Sequence, residues 1–250
     1  MAESSLSLGY PELLRAVGRF LGYGADNANW TTDERTEVDD AIKSGLRRFY
    51  GAHKWSFLRP VTTISTVVGT ADYALPDGFA SIVGPLSFAA GSEAAWTIEL
   101  VPDLSVRKLR YNPRSGKPEV ASVTPLVSDG VTGQRKQLSL YPTPDAVYVL
   151  SYAMQLLPDA LSATNPYPLG GEQFAEVIVE ACLAAAESTM DDNQQVHAER
   201  YATELALAIG VDNTHRSIDN LGYNGNGPTA FPSRSRSGTP TLNGVPITSL

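Results

Sequence analysis

The chain opens with apolar residues at helical spacing. Leu13, Leu14, Val17, Phe20 and Leu21 recur until Gly22 and Gly24 stop the run, and Pro11 stands where a first-turn proline is tolerated. A polar link follows. Thr31 and Glu34 then have the Thr-x-x-Glu form of a capping box, with Asp33, Glu34 and Glu37 at the positive end of the helix they predict. Val38, Ile42, Leu46 and Phe49 continue it in steps of four, four and three residues. Lys43, Arg47 and Arg48 lie near its end, where cations suit the helix dipole, and Gly51 follows.

The period changes at Trp55. From Phe57 to Leu156 the chain is rich in Thr, Val, Ile and Tyr and is broken by Gly and Pro. Val61 to Val68 reads as a strand, Gly69-Thr70 as a turn and Asp72 to Leu75 as its partner. Ala80–Phe88, Trp96–Val101 and Pro118–Val127 read as further extended segments, with a short helical interruption over Pro102–Arg110. Gln137–Tyr141 and Val147–Tyr152 read as a hairpin through Pro142-Thr143-Pro144-Asp145. Short strands at such spacing indicate an antiparallel barrel or sandwich.

After Pro166, Pro168 and Gly170-Gly171 the helical period returns. Phe174, Ile178, Cys182, Ala185 and Met190 fit one buried stripe, and the alanines at 181, 184, 185 and 186 allow close helix approach. Asp191-Asp192-Asn193 would break this helix and cap another carrying Val196, Tyr201, Leu205, Ala208 and Ile209. Past Arg216 no period remains. The pattern therefore predicts an α+β fold: a helical bundle formed by the N- and C-terminal helices (residues 1–56 and 165–217), an inserted antiparallel β barrel or sandwich-like region (57–164), and an extended C-terminal arm (218–250).

Composition adds limits. Hydrophobic residues make up 42% of the 250, enough to bury a sizeable core. No stretch approaches the roughly 18–20 apolar residues of a membrane span. Met1 to Leu8 lacks the basic and apolar regions of a secretory signal. The single cysteine, Cys182, excludes an intramolecular disulfide and suits a reducing compartment. The net charge of −8 argues against general nucleic-acid binding. Residues 161–217 hold 2 basic and 9 acidic side chains and so supply −7 of that total, which makes one helical region strongly acidic.

Candidate chemistry is sparse. His53, His197 and His215 are far apart, and His197 reads as solvated on a polar helix face. The chain carries no nucleophile elbow, phosphate loop or zinc-binding helix motif, so no catalytic, cofactor or metal residue is assigned. Gly84-Pro85 reads as a turn, and Cys182 as a small core residue rather than a nucleophile. Glu172, Glu176 and Glu180, four apart, would line one helix face, an acidic stripe that is either simply solvated or meets a basic partner or a polyanion channel. Lys43, Arg47, Arg48, Lys54 and Arg59 form a basic cluster that reads as a solvated helix end first, a protein-docking surface second and a DNA contact last.

More specific is the run Tyr50-Gly-Ala-His-Lys-Trp55-Ser-Phe57-Leu58, a Thr/Val strand, and then Tyr73-Ala-Leu75-Pro76-Asp-Gly-Phe79. With Asn165-Pro166-Tyr167-Pro168-Leu169 before the last helices, this order resembles the head-to-tail adaptor (connector or neck) proteins of tailed bacteriophages. The resemblance implies a non-enzymatic virion protein, made in the host cytoplasm, that forms a ring, commonly of twelve copies. The ring would sit between portal and tail, extend the DNA channel without sequence-specific DNA binding, and dock tail or nozzle proteins. Lys43, Arg47, Arg48, Lys54, Glu172, Glu176 and Glu180 are the candidate partner-facing residues of the body. In the arm, Tyr223, Phe231 and Leu250 are apolar anchors and Arg234 and Arg236 charged ones. Two alternatives remain open: a glycan- or receptor-binding virion module that stacks sugars on Trp96 or Tyr111, and a tail-associated hydrolase with scattered carboxylates.

Overall fold

The computed structural model describes residues 4, 6–89, 96–128, 130–131, 133–190, 195–215, 241–242 and 245–246. They form two compact units, residues 1–213 and 214–250. In the larger unit, helices α1 (Tyr10–Phe20) and α2 (Thr32–Ala52) precede strands β1 (Val61–Ser65), β2 (Asp72–Ala74), β3 (Phe79–Phe88) and β4 (Thr97–Leu100). Helix α3 (Asp103–Leu109) leads to β5 (Val120–Pro125), β6 (Lys136–Tyr141) and β7 (Val149–Leu156), and helices α4 (Ala175–Glu187) and α5 (Val196–His215) follow.

The helical elements lie where their periodicity placed them. Thr31 caps α2: its hydroxyl accepts from the Glu34 amide at 3.3 Å, and the Glu34 carboxylate accepts from the Thr31 amide at 2.7 Å. Val38, Ile42, Leu46 and Phe49 are all buried. They meet α4 at an unusually close approach. A Cβ on Gly45 would stand 2.5 Å from the Cys182 Cα and 2.6 Å from its amide nitrogen. The α4 alanines at 181, 184, 185 and 186 are all buried inside this same body. Met190, expected in the stripe, is 40% exposed because α4 ends at Glu187.

Trp55 and Phe57 join the helices to the strands. Trp55 is fully buried, its indole N–H donates to the Phe49 carbonyl at 2.9 Å, and its ring lies 4.6 Å from Phe49 and 5.2 Å from Phe174. Phe57 stacks on Trp55 at 5.6 Å and meets Phe174 at 5.2 Å. Gly170, at φ +118°, lets the returning chain pass these rings, since a Cβ there would be 3.0 Å from Phe174 and 3.1 Å from Phe57. Tyr50 completes the joint: its hydroxyl accepts from the Leu169 amide at 2.9 Å, and burial pushes its pKa up to about 12.

The strands form one seven-stranded sheet in the order β1-β7-β3-β4-β5-β6-β2, which corrects the expected all-antiparallel barrel or sandwich. β4 and β5 run parallel, because α3 and its flanks provide the crossover that a parallel pair requires. Neither expected hairpin forms: β1 pairs with β7 and β2 with β6, while β6 also pairs with β5 and β7 with β3. Local turn signals favoured those hairpins, but β1, β2 and β7 pair with strands remote in sequence instead.

This order forces the sheet to curl. β1 and β2 occupy its two edges yet are joined by only residues 66–71. Flat, seven strands about 4.8 Å apart would separate the edges by about 29 Å. Seven Cα steps reach at most about 25 Å. Curling into a half-barrel brings the edges within reach. Gly84-Pro85 assists as a bulge within β3 rather than a turn, since the β3–β7 register shifts between Val83 and Ser87 and Gly84 sits at φ +79°. The closing link packs along the β6–β7 connection, with the Thr66 amide donating to the Tyr148 carbonyl at 2.8 Å and that of Gly69 to Pro144 at 2.9 Å. Tyr73 braces the turn: its hydroxyl accepts from the Val67 amide at 2.9 Å and donates to the Thr70 carbonyl at 2.7 Å.

Arg110, just past α3, ties the crossover to the far edge. Its guanidinium binds Asp72 of β2 at 2.8 Å, and Ser139 of β6 donates to the same carboxylate at 2.6 Å. Burial alone would raise the Asp72 pKa, but the hydrogen bonds from Arg110 and Ser139, with the Arg110 charge, together hold it below its usual value. The smaller unit contains a two-residue antiparallel ladder of β8 (Thr241–Leu242) with β9 (Val245–Pro246), where the composition reads as an arm without structure of its own. Asn243-Gly244 is the sequence signal that favours such a pairing.

Two substitutions test this account. Gly45→Ala drives a methyl group into the α4 backbone and should lower stability by about 1–3 kcal/mol despite alanine's better helix propensity. A thermal melt should show a drop of several degrees, and an unchanged midpoint would refute the close approach. Tyr73→Phe removes the turn brace without changing ring packing and should cost about 1–2 kcal/mol in urea unfolding, with the far-UV spectrum preserved.

Candidate functional site

The candidate residues fall on the helical body. Lys43 and Arg47 are exposed on α2, with Lys43 lying 3.5 Å from Asp40. Arg48 is exposed too, yet close enough to Tyr201 of α5 to act on its hydroxyl: burial pushes the Tyr201 pKa up, and Arg48 pulls it down. Lys54 is exposed, and its carbonyl accepts from the Arg59 guanidinium at 3.3 Å. The basic residues therefore divide, with Lys43 and Arg47 facing solvent and Arg48 turned toward α5.

The acidic stripe is less uniform than its spacing suggested. Glu172 is exposed but lies in a 3-10 turn ahead of α4, where it accepts from the Ser4 hydroxyl at 3.3 Å. Glu176 is exposed on α4. Glu180 is not: its side chain is 15% exposed and binds His197 Nδ1 at 2.8 Å, with Arg200 4.0 Å away. His197, read as solvated, is held between that carboxylate and the edge of Phe20, 4.9 Å between ring centroids. Tyr223, Phe231, Arg234, Arg236 and Leu250 lie outside the described residues, as does the expected Asp191-Asp192-Asn193 cap.

Two buried carboxylates that the sequence reading passed over hold α5. Glu187, 5% exposed at the end of α4, accepts from the α5 amides of Val196 at 2.9 Å, His197 at 3.0 Å and Ala198 at 3.3 Å. A negative charge there satisfies amides left free at a helix start and meets the positive end of the dipole. Near the other end, Asp212, 1% exposed, accepts from the Ser56 amide at 2.9 Å and its hydroxyl at 2.5 Å, and contacts His53 Nε2 at 3.1 Å. The only hint in the sequence was an acidic residue at an otherwise inward-facing helical position.

Ser56, His53 and Asp212 are the residue types of a hydrolytic triad in the wrong order. In a working triad the imidazole stands between hydroxyl and carboxylate and takes the hydroxyl proton. Here the Ser56 hydroxyl donates to Asp212 directly, so the three form a structural clasp. Cys182 is fully buried, and burial pushes its thiol pKa up to about 12, which leaves it protonated at neutral pH. Trp96 is 44% exposed, but Lys117 lies over its ring at 5.6 Å and Phe88 meets it edge-on at 5.6 Å, while Tyr111 is exposed at 90%. No helix among the described residues is long and apolar enough to cross a membrane.

The clasp makes a checkable claim about α5. Asp212→Ala strands the Ser56 amide and should cost about 3 kcal/mol, since hydrogen bonds to a buried charge are among the stronger ones. Hydrogen exchange should accelerate in α5 and at Ser56 while α2 and α4 stay protected, and uniform protection would refute the role.

The family model described as SU10 adaptor protein matches residues 9–223, whereas no curated protein matches. That span covers the whole helical body and sheet. The chain thus belongs to the SU10 adaptor protein family, a phage head-to-tail adaptor family, and is a structural adaptor of the virion.

Proposed function

We propose that copies of this chain form a ring, dodecameric as the family resemblance implies, between the portal protein and the tail. The ring extends the DNA channel, lets the genome pass without sequence-specific binding, and offers tail or nozzle proteins a docking platform. The observation that carries this reading is the adaptor family match over residues 9–223.

The body supplies surfaces suited to such packing. The alanine face at 181–186 is buried within the chain, with Ala181 and Cys182 against Gly45 of α2. α5 offers an outward alternative: Ala202, Ala206 and Gly210 recur at four-residue spacing, beside Leu207 at 61% exposure and Val211 at 40%. Small residues there would let a neighbour's helix come close. Residues 218–250 act as an arm that engages a neighbouring virion protein through Tyr223, Phe231 and Leu250, with Arg234 and Arg236 pairing with acidic groups.

Electron microscopy of virion necks tests the proposal directly. A closed ring of this chain beneath the portal is the expected result, and a single asymmetric copy would overturn it. Truncation after Arg216 should leave the melting temperature of the body unchanged while neck incorporation falls. Equal incorporation of truncated and full-length chains would remove the arm from the account.

A further inference from the structure

We infer that, within the ring proposed above, the basic outer stripe of α2 in one copy docks on the acidic α4–α5 groove and uncharged α5 face of the next copy.

The basic surface is built by helical spacing. Lys43 and Arg47 are one turn apart on the side of α2 turned away from the core, and Lys54 follows beyond the helix end. Residues 41–58 hold four basic side chains and no Asp or Glu; Asp40, just before this stretch, lies 3.5 Å from Lys43 in an exposed pair, and the net charge of the stretch stays positive. Gly51 lies in the same stretch, with open space where a side chain would be. That gives a partner helix room to approach.

The receiving surface has the opposite charge. A groove of about 500 Å³ between α4 and α5 is lined by Glu176, Glu180, Val196, Glu199, Arg200 and Glu204. Glu180 is engaged by His197, which leaves Glu176, Glu199 and Glu204 against the single cation Arg200. Beside the groove runs the exposed face of Ala202, Ala206, Leu207, Gly210 and Val211, with no charged residue among them and open space at Gly210. The apolar strip supplies area to bury, and the flanking carboxylates supply register and sign.

A second copy fits this surface better than nucleic acid does, because the groove repels phosphate while the complementary stripe is carried by the chain itself. The contact joins two different patches, so it is head-to-tail, the kind that closes into a ring. Stripe-to-stripe or groove-to-groove contacts would set like charges together.

The test uses full-length chains assembling on portal-bearing heads, counted by electron microscopy. Lys43→Glu with Arg47→Glu gives a variant whose stripe repels the groove. Glu176→Lys with Glu199→Lys gives one whose groove repels the stripe. All four positions are exposed, so both variants should melt like the parent. Each alone should lose assembled necks by about tenfold or more at physiological salt, because like charges now face each other. An equal mixture should recover them, since alternating copies restore opposite charges at every contact. The milder Lys43→Gln, Arg47→Gln pair should lose less and be less sensitive to salt. If either double reversal assembles like the parent, or the mixture fails to recover, this pairing of surfaces is wrong even though the ring stands. If the parent itself forms no ring, the ring reading falls and this contact with it.

Discussion

The contact between α2 and α4 at Gly45 is the constraint on which the helical body rests. The two backbones meet where only a hydrogen atom fits, Gly45 facing Ala181 and Cys182 of α4. The neighbouring parts of the body pack against this pair. α1 lies across it, with the Tyr10 hydroxyl donating to Asp39 of α2 at 2.5 Å. Phe49 at the end of α2 and Phe174 ahead of α4 stand 6.2 Å apart and form the aromatic seat for Trp55 and Phe57. That seat is where helix gives way to strand.

The sheet answers to a different constraint, the length of its connections. A six-residue link between the two edge strands permits curled sheets and excludes flat ones. The β3 bulge, the Tyr73 brace and the Arg110–Asp72 tie all serve this shape. Its interior is a second apolar cluster around Leu86, Ile98, Leu138, Leu140 and Leu150, separate from the cluster of the helices. An adaptor benefits from such an arrangement, because a stiff body holds several surfaces at fixed angles to one another.

The polar groups of the interior are used for fastening rather than chemistry. Glu187 and Asp212 are buried charges, and each would be costly if left unpaired. Each is instead surrounded by donors that have no other obvious partner, namely the first amides of α5 and the Ser56 amide and hydroxyl. Together they fix a helix that otherwise touches the body mainly through Tyr201, Leu205, Ala208 and Ile209. The outward face of that helix is thereby held in a defined position.

Much of this was legible in the residues themselves. The capping box at Thr31, the four-four-three spacing of Val38 to Phe49 and the change after Trp55 to Thr-, Val-, Ile- and Tyr-rich segments broken by Gly and Pro located the helices and most strands, because they report local geometry. The Trp-x-Phe and Tyr-x-Leu-Pro runs pointed to the family, and both proved to be packing motifs. Pairing between strands was not legible. A strand's faces are set by its own sequence, but its neighbour is set by which distant strand offers a matching face, so two plausible hairpins dissolved into a mixed sheet. The same holds for charge. The spacing of Glu172, Glu176 and Glu180 said that they could share a face, whereas only the approach of α5 decided that Glu180 meets His197. Gly45 carries no local signal of its importance, and the buried carboxylates Glu187 and Asp212 only that of an acidic residue at an inward-facing position, because a close contact or a buried clasp exists only once two remote segments have been brought together.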